Sequence, residues 1–325
     1  MRTTRVIIGL VAAAALAVSG CGTTETARDG AVETSTGGPV TVVDSRGKSV
    51  RLDHPAKRVA ATEWNGVEDL VSLGVQPAGV ADIKGYEQWV SAAPLDGTAK
   101  DIGTRGEPSL DTIGSLNLDL VVVTDGLTGD ALKQLEAKVP VIVIKGGDAK
   151  DPVGSMFTAL DTIAKATGTE AAAARLKRSF DAKVAKGKAE VRRLGADGEK
   201  VAFSDSYVDS GSVHIRPFTK GSLVADVFAR IGLESPWTVK GDPVYGLGAA
   251  DVEGLTKLPD VRFWYEANST EGDPFTEELA DNAIWTSLPF VKGKKVHRLP
   301  DSLWMFGGPT SMEQYVDAAV DALKA

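Results

Sequence analysis

The chain has 325 residues, of which 43% are hydrophobic and 25% charged, and its formal net charge is −8 at pH 7. An acidic chain without a block of basic residues argues against nucleic acid as a partner. The single cysteine excludes a disulfide within the chain.

The N-terminal segment has the pattern of an export signal. Arg2 and Arg5 precede an apolar run over residues 6–18, which is too short to span a bilayer comfortably. Small residues then lead to Cys21, and this arrangement resembles a bacterial lipoprotein signal. We therefore predict a signal peptide over residues 1–20 and a Cys21 that carries fatty acyl chains such as palmitate. The lipid would anchor the protein to the extracytoplasmic face of the cell membrane.

The next part of the chain predicts a linker followed by a first α/β lobe. Residues 21–39 are rich in Gly, Thr, Ser and Glu and have little to bury, which favours a flexible linker. Residues 40–148 then alternate short apolar strands with helical segments, as parallel sheets covered by helices do. The predicted strands are 40–43, 49–52, 58–62, 78–81, 118–124 and 139–144, and the predicted helices are 67–73, 109–115 and 129–137.

A long helical segment separates this lobe from a second one. Residues 149–197 are dominated by Ala, Lys, Arg, Leu and Glu, with one break at Gly168. Such a length suits a helical spine that joins two lobes, and the α/β pattern resumes over residues 198–325. The predicted strands there are 201–204, 261–265 and 296–299, and the predicted helices are 222–231, 275–283, 285–288 and 311–323.

Two segments of the chain are similar to each other. Residues 108–123 and 250–264 both run from an acidic residue through a short helix, a leucine and an aspartate into an apolar strand. Chance similarity between two helix–strand units is one explanation. The other is that the two lobes are related copies, each contributing the same unit at the same place.

Six segments, in this order, carry a resemblance to a known family. They are 58–64, 79–90, 101–108, 232–237, 285–294 and 303–307. From residue 40 to residue 323 the chain resembles the substrate-binding proteins of ABC importers for ferric siderophores and cobalamin, and most of all those for ferric hydroxamates. The resemblance implies an α/β fold with two Rossmann-like lobes joined by a long rigid α-helix, and a ligand cleft between them. It also implies a monomeric, non-enzymatic protein that takes part in iron transport and hands its ligand to an ABC permease.

The expected ligand explains why no metal-binding residues are needed. A ferric siderophore brings its own oxygen ligands, so the resemblance implies no cofactor and no metal site in the protein. The protein has to enclose a bulky chelate and hold its oxygens, which suits aromatic walls and arginine donors. Arg105 lies in a loop between a strand and a helix, where strand ends open onto a cleft. By resemblance, an arginine here donates hydrogen bonds to hydroxamate oxygens.

Aromatic residues supply the rest of the expected site. Trp64, Trp89 and Trp304 stand at positions that line the ligand site in the hydroxamate proteins, and Tyr245 matches a tryptophan of the second lobe if one inserted residue is allowed. Aromatic side chains also serve as ordinary core residues, which is the alternative for each of them.

Three further positions bear on the identity of the ligand. Phe306 and Leu127 each stand where the hydroxamate proteins have a tyrosine, so a hydroxyl is missing at both. Arg216, read as a loop residue of the second lobe, could point across the cleft towards Arg105. Two converging arginines would favour a more anionic ligand, such as ferric citrate or another carboxylate siderophore.

The acidic residues of the two similar segments are candidates for docking. In the family, residues at the positions of Asp111 and Glu253 contact arginine pockets on the two permease subunits, one for each lobe. Each acid would also complement the N-terminus of its helix, which is the structural alternative.

Catalytic and metal-binding alternatives have little support in the sequence. The chain has no nucleophile elbow, no phosphate-binding loop and no zinc-protease motif. Its three histidines, His54, His214 and His297, are scattered and do not have the spacing of metal ligands. Glu63 and Asp82 could form a carboxylate pair, but nothing accompanies them, and the five tyrosines show no clustering that suits bare Fe³⁺. An exported lipoprotein enzyme on the same scaffold is the alternative from another functional class.

Overall fold

The computed structural model describes residues 37–325. The predicted signal peptide, Cys21 and the predicted linker up to residue 36 lie outside the described residues. Among the helices of residues 37–325, none has both the length and the apolar character needed to cross a membrane.

The first part of the described chain forms a hairpin and a five-stranded parallel sheet with helices. Its strands are β1 (Val40–Val43), β2 (Ser49–Leu52), β3 (Val59–Ala61), β4 (Gly79–Val80), β5 (Lys100–Asp101), β6 (Gly103–Thr104), β7 (Glu107–Pro108), β8 (Leu120–Thr124) and β9 (Val141–Ile144). Its helices are α1 (Trp64–Ser72), α2 (Ile83–Trp89), α3 (Leu110–Ser115) and α4 (Gly129–Glu136). The parallel sheet has the order β5-β4-β3-β8-β9, while β1 pairs with β2 and β6 with β7 in antiparallel hairpins.

The continuous apolar strands explain why this sheet is parallel and covered on both faces. Every residue of β8 and of β9 is buried. A strand that is apolar on both faces needs packing on both faces, which helices provide in an α/β layer arrangement. The predicted hairpin and the predicted strands and helices of residues 40–148 are all present, with ends shifted by up to three residues. Helix α2 was not predicted.

Two consecutive helices form the predicted helical segment. They are α5 (Pro152–Thr167) and α6 (Glu170–Arg193). Helix α5 starts where the side chain of Asp151 caps the backbone N–H of Gly154, and it ends at Gly168, whose φ of 71° is left-handed. Helix α6 packs on α5, where Phe180, near the middle of α6, meets Phe157 with 5.5 Å between ring centroids. The break predicted at Gly168 is therefore confirmed.

The last part of the chain builds a four-stranded mixed sheet with its own helices. Its strands are β10 (Val201–Asp209), β11 (Ser212–Pro217), β12 (Arg262–Tyr265) and β13 (Val296–Arg298). Its helices are α7 (Leu223–Arg230), α8 (Ala283–Ser287), α9 (Pro289–Lys292) and α10 (Pro309–Lys324), with a short 3₁₀ helix at Gly254–Lys257. The order is β11-β10-β12-β13, in which only β11 runs antiparallel to its neighbour.

Helix α6 also packs on this second part, at a glycine. A Cβ added to Gly187 would lie 2.5 Å from Val316 of α10 and 3.1 Å from Ile231. The absence of a side chain lets α6 lie close to the end of α7 and to α10. Helix α6 thus contacts α5 on one side of the chain and α7 and α10 on the other.

Two predictions for this part were wrong. The strand predicted at 201–204 continues to Asp209 and turns into β11, which the sequence analysis read as a loop. The helix predicted over 275–283 is a series of turns. Asp273 binds the backbone N–H of Phe275, and the Asn282 side chain binds the backbone N–H groups of Ile284 and Trp285 and starts α8. Such local side-chain contacts compete with a regular helix.

A buried carboxylate ties the two parts of the chain together next to the predicted site. Glu68 of α1 is fully buried and accepts hydrogen bonds from the Thr310 hydroxyl at 2.7 Å and from the Ser311 backbone N–H at 2.9 Å. Both donors lie in the first turn of α10, where a carboxylate is favoured by the exposed N–H groups and the helix dipole. This contact holds the segment before α10, which includes Trp304 and Phe306, against the first sheet.

Candidate ligand-binding cleft

The predicted site residues meet at the carboxyl ends of the strands. A cavity of about 200 Å³ opens there, with Glu63 and Arg105 from the first part of the chain and Arg216 and Tyr245 from the second. The remaining lining residues are Asn65, Thr124, Gly146, Leu247, Trp304 and Phe306. Five of the seven predicted ligand contacts thus share one cavity: Arg105, Arg216, Tyr245, Trp304 and Phe306. A cleft at this edge is where open α/β sheets bind their ligands.

Arg105 is held by aromatic stacking and by an ion pair. Its guanidinium carbon lies 4.2 Å from the ring centroid of Trp64 and 5.4 Å from that of Trp304. Its Nε donates to Glu63 Oε2 at 2.8 Å. Within residues 37–325 its two Nη groups make no hydrogen bond, so they remain free to donate into the cavity. A planar donor that is already oriented loses little side-chain entropy on binding.

The predicted aromatic residues form one connected cluster. Trp304 lies edge-on to Trp64 at 4.8 Å and to Phe306 at 5.2 Å, and Phe306 meets Tyr245 at 5.2 Å between centroids. Trp64 is only 5% exposed and does not line the cavity, because it packs beneath Arg105 and donates its indole N–H to the Ala81 carbonyl. Trp64 therefore supports the arginine rather than forming part of the wall.

Trp89 lies to one side of this cavity. Its ring centroid is 6.5 Å from that of Trp304, and its indole N–H donates to Glu271 Oε1 at 2.9 Å. Asn268 Nδ2 also donates to the carbonyl of Gln88 at 3.0 Å. Helix α2 and the loop after β12 therefore touch across the cleft at this end.

Arg216 belongs to β11 and not to a loop, which corrects the sequence interpretation. It stands opposite Asp205 of β10 in the antiparallel register, and its Nε donates to Asp205 Oδ1 at 2.8 Å, with a second contact from Nη2 to Oδ2. Asp205 is only 3% exposed. Burial raises the pKa of Asp205, and the hydrogen bond from Arg216 opposes that rise. Because a guanidinium can only donate, both carboxylate oxygens of Asp205 act as acceptors, and this bidentate contact is an ion pair.

A second cavity, of about 320 Å³, meets the first at Arg216. Trp89 forms part of its wall, and most of its charged lining is acidic: Asp205, Glu266, Glu271, Asp273, Glu277 and Glu278. The two cavities together form one cleft whose second end is electronegative. A separate cavity, of about 280 Å³ beside β1 and α5, contains none of the predicted site residues.

Glu266 is buried at the base of the second cavity. Glu266 is 1% exposed. It accepts one hydrogen bond from the Tyr315 hydroxyl and another from the Leu303 backbone N–H. Burial holds the pKa of Glu266 well above its usual range, and the charge of Asp205 raises it further. The acid is therefore protonated in the folded protein under conditions in which an exposed glutamate is ionised.

This raised pKa predicts a dependence of stability on pH that Glu266→Gln should reduce. In the unfolded chain Glu266 ionises near pH 4.3, so its contribution to folding is complete below that pH and is lost as the pH rises towards its folded pKa. Urea unfolding of the wild type between about pH 5 and 7 should include a fall of up to roughly 1.4 kcal/mol per pH unit from this group. Glu266→Gln should lack this contribution to the fall in the free energy of unfolding. Glu278→Gln, at an exposed glutamate, serves as the control. Equal slopes in the wild type and Glu266→Gln would contradict the prediction.

Two buried donors beside the first cavity lack an acceptor within residues 37–325. They are Nδ2 of Asn65 and Nε1 of Trp304, in side chains that are 5% and 6% exposed. The carbonyl oxygen of Asn65 accepts the backbone N–H of Gly66 at 2.8 Å, which leaves the amide nitrogen for another partner. An unpaired buried donor costs about 1–3 kcal/mol, so both favour a ligand rich in acceptor oxygens.

Asn65 and Asp205 were not predicted, and Glu63 was considered only as part of a catalytic carboxylate pair. A signal for Glu63 was present, since it lies two residues after β3 and just before α1, as site residues near strand ends do. Leu127 is 6% exposed and packs in the core beneath the first sheet, so it takes no part in the cavity. Asp111 in the first turn of α3 and Glu253 before the 3₁₀ helix are both exposed, away from the cavity lining.

Comparison with known proteins finds relatives that match most of the chain. The iron(3+)-hydroxamate-binding protein FhuD of Escherichia coli is 25% identical over 266 residues, which cover 82% of this chain and 86% of that protein. The Fe(3+)-citrate-binding protein YfmC of Bacillus subtilis is 28% identical over 328 residues, 98% of this chain and 95% of that protein.

A solved structure shows the same fold. The siderophore-binding protein FhuD of Vibrio cholerae with bound Fe³⁺-Desferal superimposes with a TM-score of 0.73 at 23% identity, covering 83% of this chain and 98% of that one. The sequence profile of the family described as periplasmic binding protein matches residues 59–303. The match spans both sheets and most of the cleft residues, and the chain therefore belongs to the periplasmic binding protein family.

Proposed function

We propose that the protein is the substrate-binding component of an ABC importer and that its cleft captures a ferric siderophore of the hydroxamate type for iron uptake. The observation that carries this proposal is the position of Arg105, stacked on Trp64 and Trp304 with its Nη groups free at the cavity. A ferric hydroxamate presents a ring of metal-bound oxygens on an otherwise apolar body. An oriented arginine among aromatic side chains is complementary to both features.

The relatives support this class of ligand and also indicate the alternative, a carboxylate siderophore such as ferric citrate. FhuD of Escherichia coli is named for iron(3+)-hydroxamate, and FhuD of Vibrio cholerae has Fe³⁺-Desferal bound. YfmC is named for Fe(3+)-citrate. Arg105 and Arg216 line the same cavity, which is the observation that favours a carboxylate siderophore such as ferric citrate. The exported-enzyme alternative has less support, because the relatives are named as binding proteins.

The setting of the protein is part of the proposal. We infer a lobe over residues 40–148, a helical spine over 149–197 and a second lobe over 198–325, acting as a monomer. The signal pattern before Cys21 supports a lipid anchor on the extracytoplasmic face of the membrane. Two Bacillus subtilis relatives, YhfQ and YfiY, are named as substrate-binding and siderophore-binding lipoproteins.

A titration of tryptophan fluorescence tests the ligand class. The purified protein is titrated with ferrioxamine, ferric citrate and cobalamin, and with iron-free desferrioxamine as a control for the chelator. Trp89 and Trp304 lie in the walls of the cleft, so a bound ferric complex should quench them. Saturable quenching by ferrioxamine alone supports the proposal. Quenching by ferric citrate alone would instead assign a carboxylate siderophore as the ligand. No response to any of the three would contradict the proposal.

A further inference from the structure

Each arginine of the cleft is paired with a carboxylate from its own part of the chain. Arg105 donates to Glu63, which lies between β3 and α1, and Arg216 donates to Asp205 on the neighbouring strand. The two partners differ in exposure, since the Glu63 carboxylate is 23% exposed and that of Asp205 is 5%. Each guanidinium charge is therefore balanced by a carboxylate, and the two ion pairs together contribute no net charge to the cavity.

The other residues that line the two cavities add no positive charge to the cleft, within the part of the chain that the structure describes. Glu63, Arg105 and Arg216 are the only charged residues in the lining of the first cavity, as far as residues 37–325 show it. Next to it lies the acidic second cavity with Glu271, Glu277 and Glu278. A ligand in the cleft is exposed to a potential that is neutral at one end and negative at the other.

The two candidate ligand classes differ in charge. Three hydroxamate anions balance the charge of Fe³⁺, so a ferric trihydroxamate core is neutral, whereas the carboxylates of ferric citrate leave the chelate anionic. A neutral chelate needs hydrogen-bond donors, and paired arginines still offer N–H groups. An anionic chelate would gain most from arginines without carboxylate partners, because each partner repels it.

We propose that Glu63, together with Asp205, determines specificity by compensating the charge of the two arginines, so that the cleft accepts chelates without net negative charge and rejects polyanionic carboxylate chelates. This inference rests on the proposed function, since it concerns the same cleft and the same ligands. It assigns the discrimination to Glu63 and Asp205, which do not need to contact the ligand. Specificity then arises from the repulsion of the wrong ligand as well as from contacts to the right one.

Glu63→Gln tests the inference directly. The amide keeps the shape of the side chain and removes one negative charge beside Arg105. The ratio of the Kd for ferric citrate to the Kd for ferrioxamine E, an uncharged trihydroxamate chelate, should fall by about tenfold or more, as one uncompensated charge at close range implies. Both constants are measured by fluorescence titration at low ionic strength, and the effect should shrink as salt is added.

Glu199→Gln is the matched control. Glu199 also accepts from an arginine Nε, that of Arg262 at 2.7 Å, but the pair lies at the amino ends of β10 and β12, away from the cleft. This variant changes the net charge by the same amount and should leave the ratio of the two constants within about twofold of the wild type, because distant exposed charges are screened.

The inference would be overturned if Glu63→Gln shifts the ratio no more than Glu199→Gln does. If Glu63→Gln then also weakens both ligands in the same proportion, Glu63 only positions Arg105. This result leaves the proposed function intact, because the wild type still binds the trihydroxamate. A wild type that binds neither ligand would instead refute the proposed function and this inference with it.

Discussion

Arg105→Leu should weaken binding of ferrioxamine by about 100-fold, which corresponds to about 2.7 kcal/mol. The substitution removes the donors that face the cavity, each worth about 1.5–3 kcal/mol as a hydrogen bond involving a charged group. It also leaves the Glu63 carboxylate without its partner at 2.8 Å, beside acceptor oxygens of the ligand. Isothermal titration calorimetry of the purified variant measures the loss.

The control for this prediction removes an equivalent ion pair elsewhere. Arg262→Leu breaks the contact to Glu199 and should leave ferrioxamine affinity within about twofold of the wild type, because this pair lies at the amino ends of β10 and β12 and lines neither cavity of the cleft. Thermal unfolding of both variants checks that each is folded. A folded Arg105→Leu protein with wild-type affinity would remove Arg105 from the binding site.

Reversal of both proposed docking charges should abolish iron uptake while ligand binding is retained. In Asp111→Lys/Glu253→Lys, two exposed acids that we propose to meet cationic pockets of the permease become basic. Like charges at a docking contact cost several kcal/mol and slow the encounter, so uptake of radioactive iron as its siderophore complex should fall to background. The Kd of the purified variant for ferrioxamine should stay within about twofold, because neither residue lines the cavity.

Two other exposed acids provide a control of equal charge. Asp130→Lys/Asp321→Lys changes the net charge by the same amount on α4 and α10, where both carboxylates are exposed. Uptake by this control should remain close to that of the wild type. Docking at Asp111 and Glu253 would be refuted by equal uptake in the two double variants, and also by a loss of ligand affinity that accounts for the loss of uptake.

Much of the fold could be predicted because its signals are local. Apolar runs such as Leu120–Thr124 and Val141–Ile144 are buried strands, and Asp151 and Gly168 mark the ends of α5. The segment predicted as a helix over 275–283 failed for a local reason as well. Its apolar spacing is helical, yet Asp273 and Asn282 bind backbone N–H groups and divide it into turns.

The candidate site was only partly predictable. Arg105 and Trp304 were predicted from their positions and from the resemblance to a family, and the structure places both at one cavity. Arg216 was predicted at the cleft but on the wrong element, because nothing in its short segment shows that β10 folds back onto β11. The antiparallel register that sets Arg216 opposite Asp205 belongs to the sheet as a whole.

Local patterns were enough to predict the α/β class, the order of most elements, the helical segment between two sheets and the residue types that the cleft would contain. These predictions follow from periodicity, capping residues and motifs, which act over a few residues. The pairing of each carboxylate with its arginine, in contrast, depends on how distant segments pack. Glu63 and Arg105 lie 42 positions apart and meet at 2.8 Å because packing brings the segment after β3 against the turn between β6 and β7. Ion pairing between distant segments depends on packing geometry, and that geometry sets the charge of the cleft and, in our proposal, the ligand it accepts.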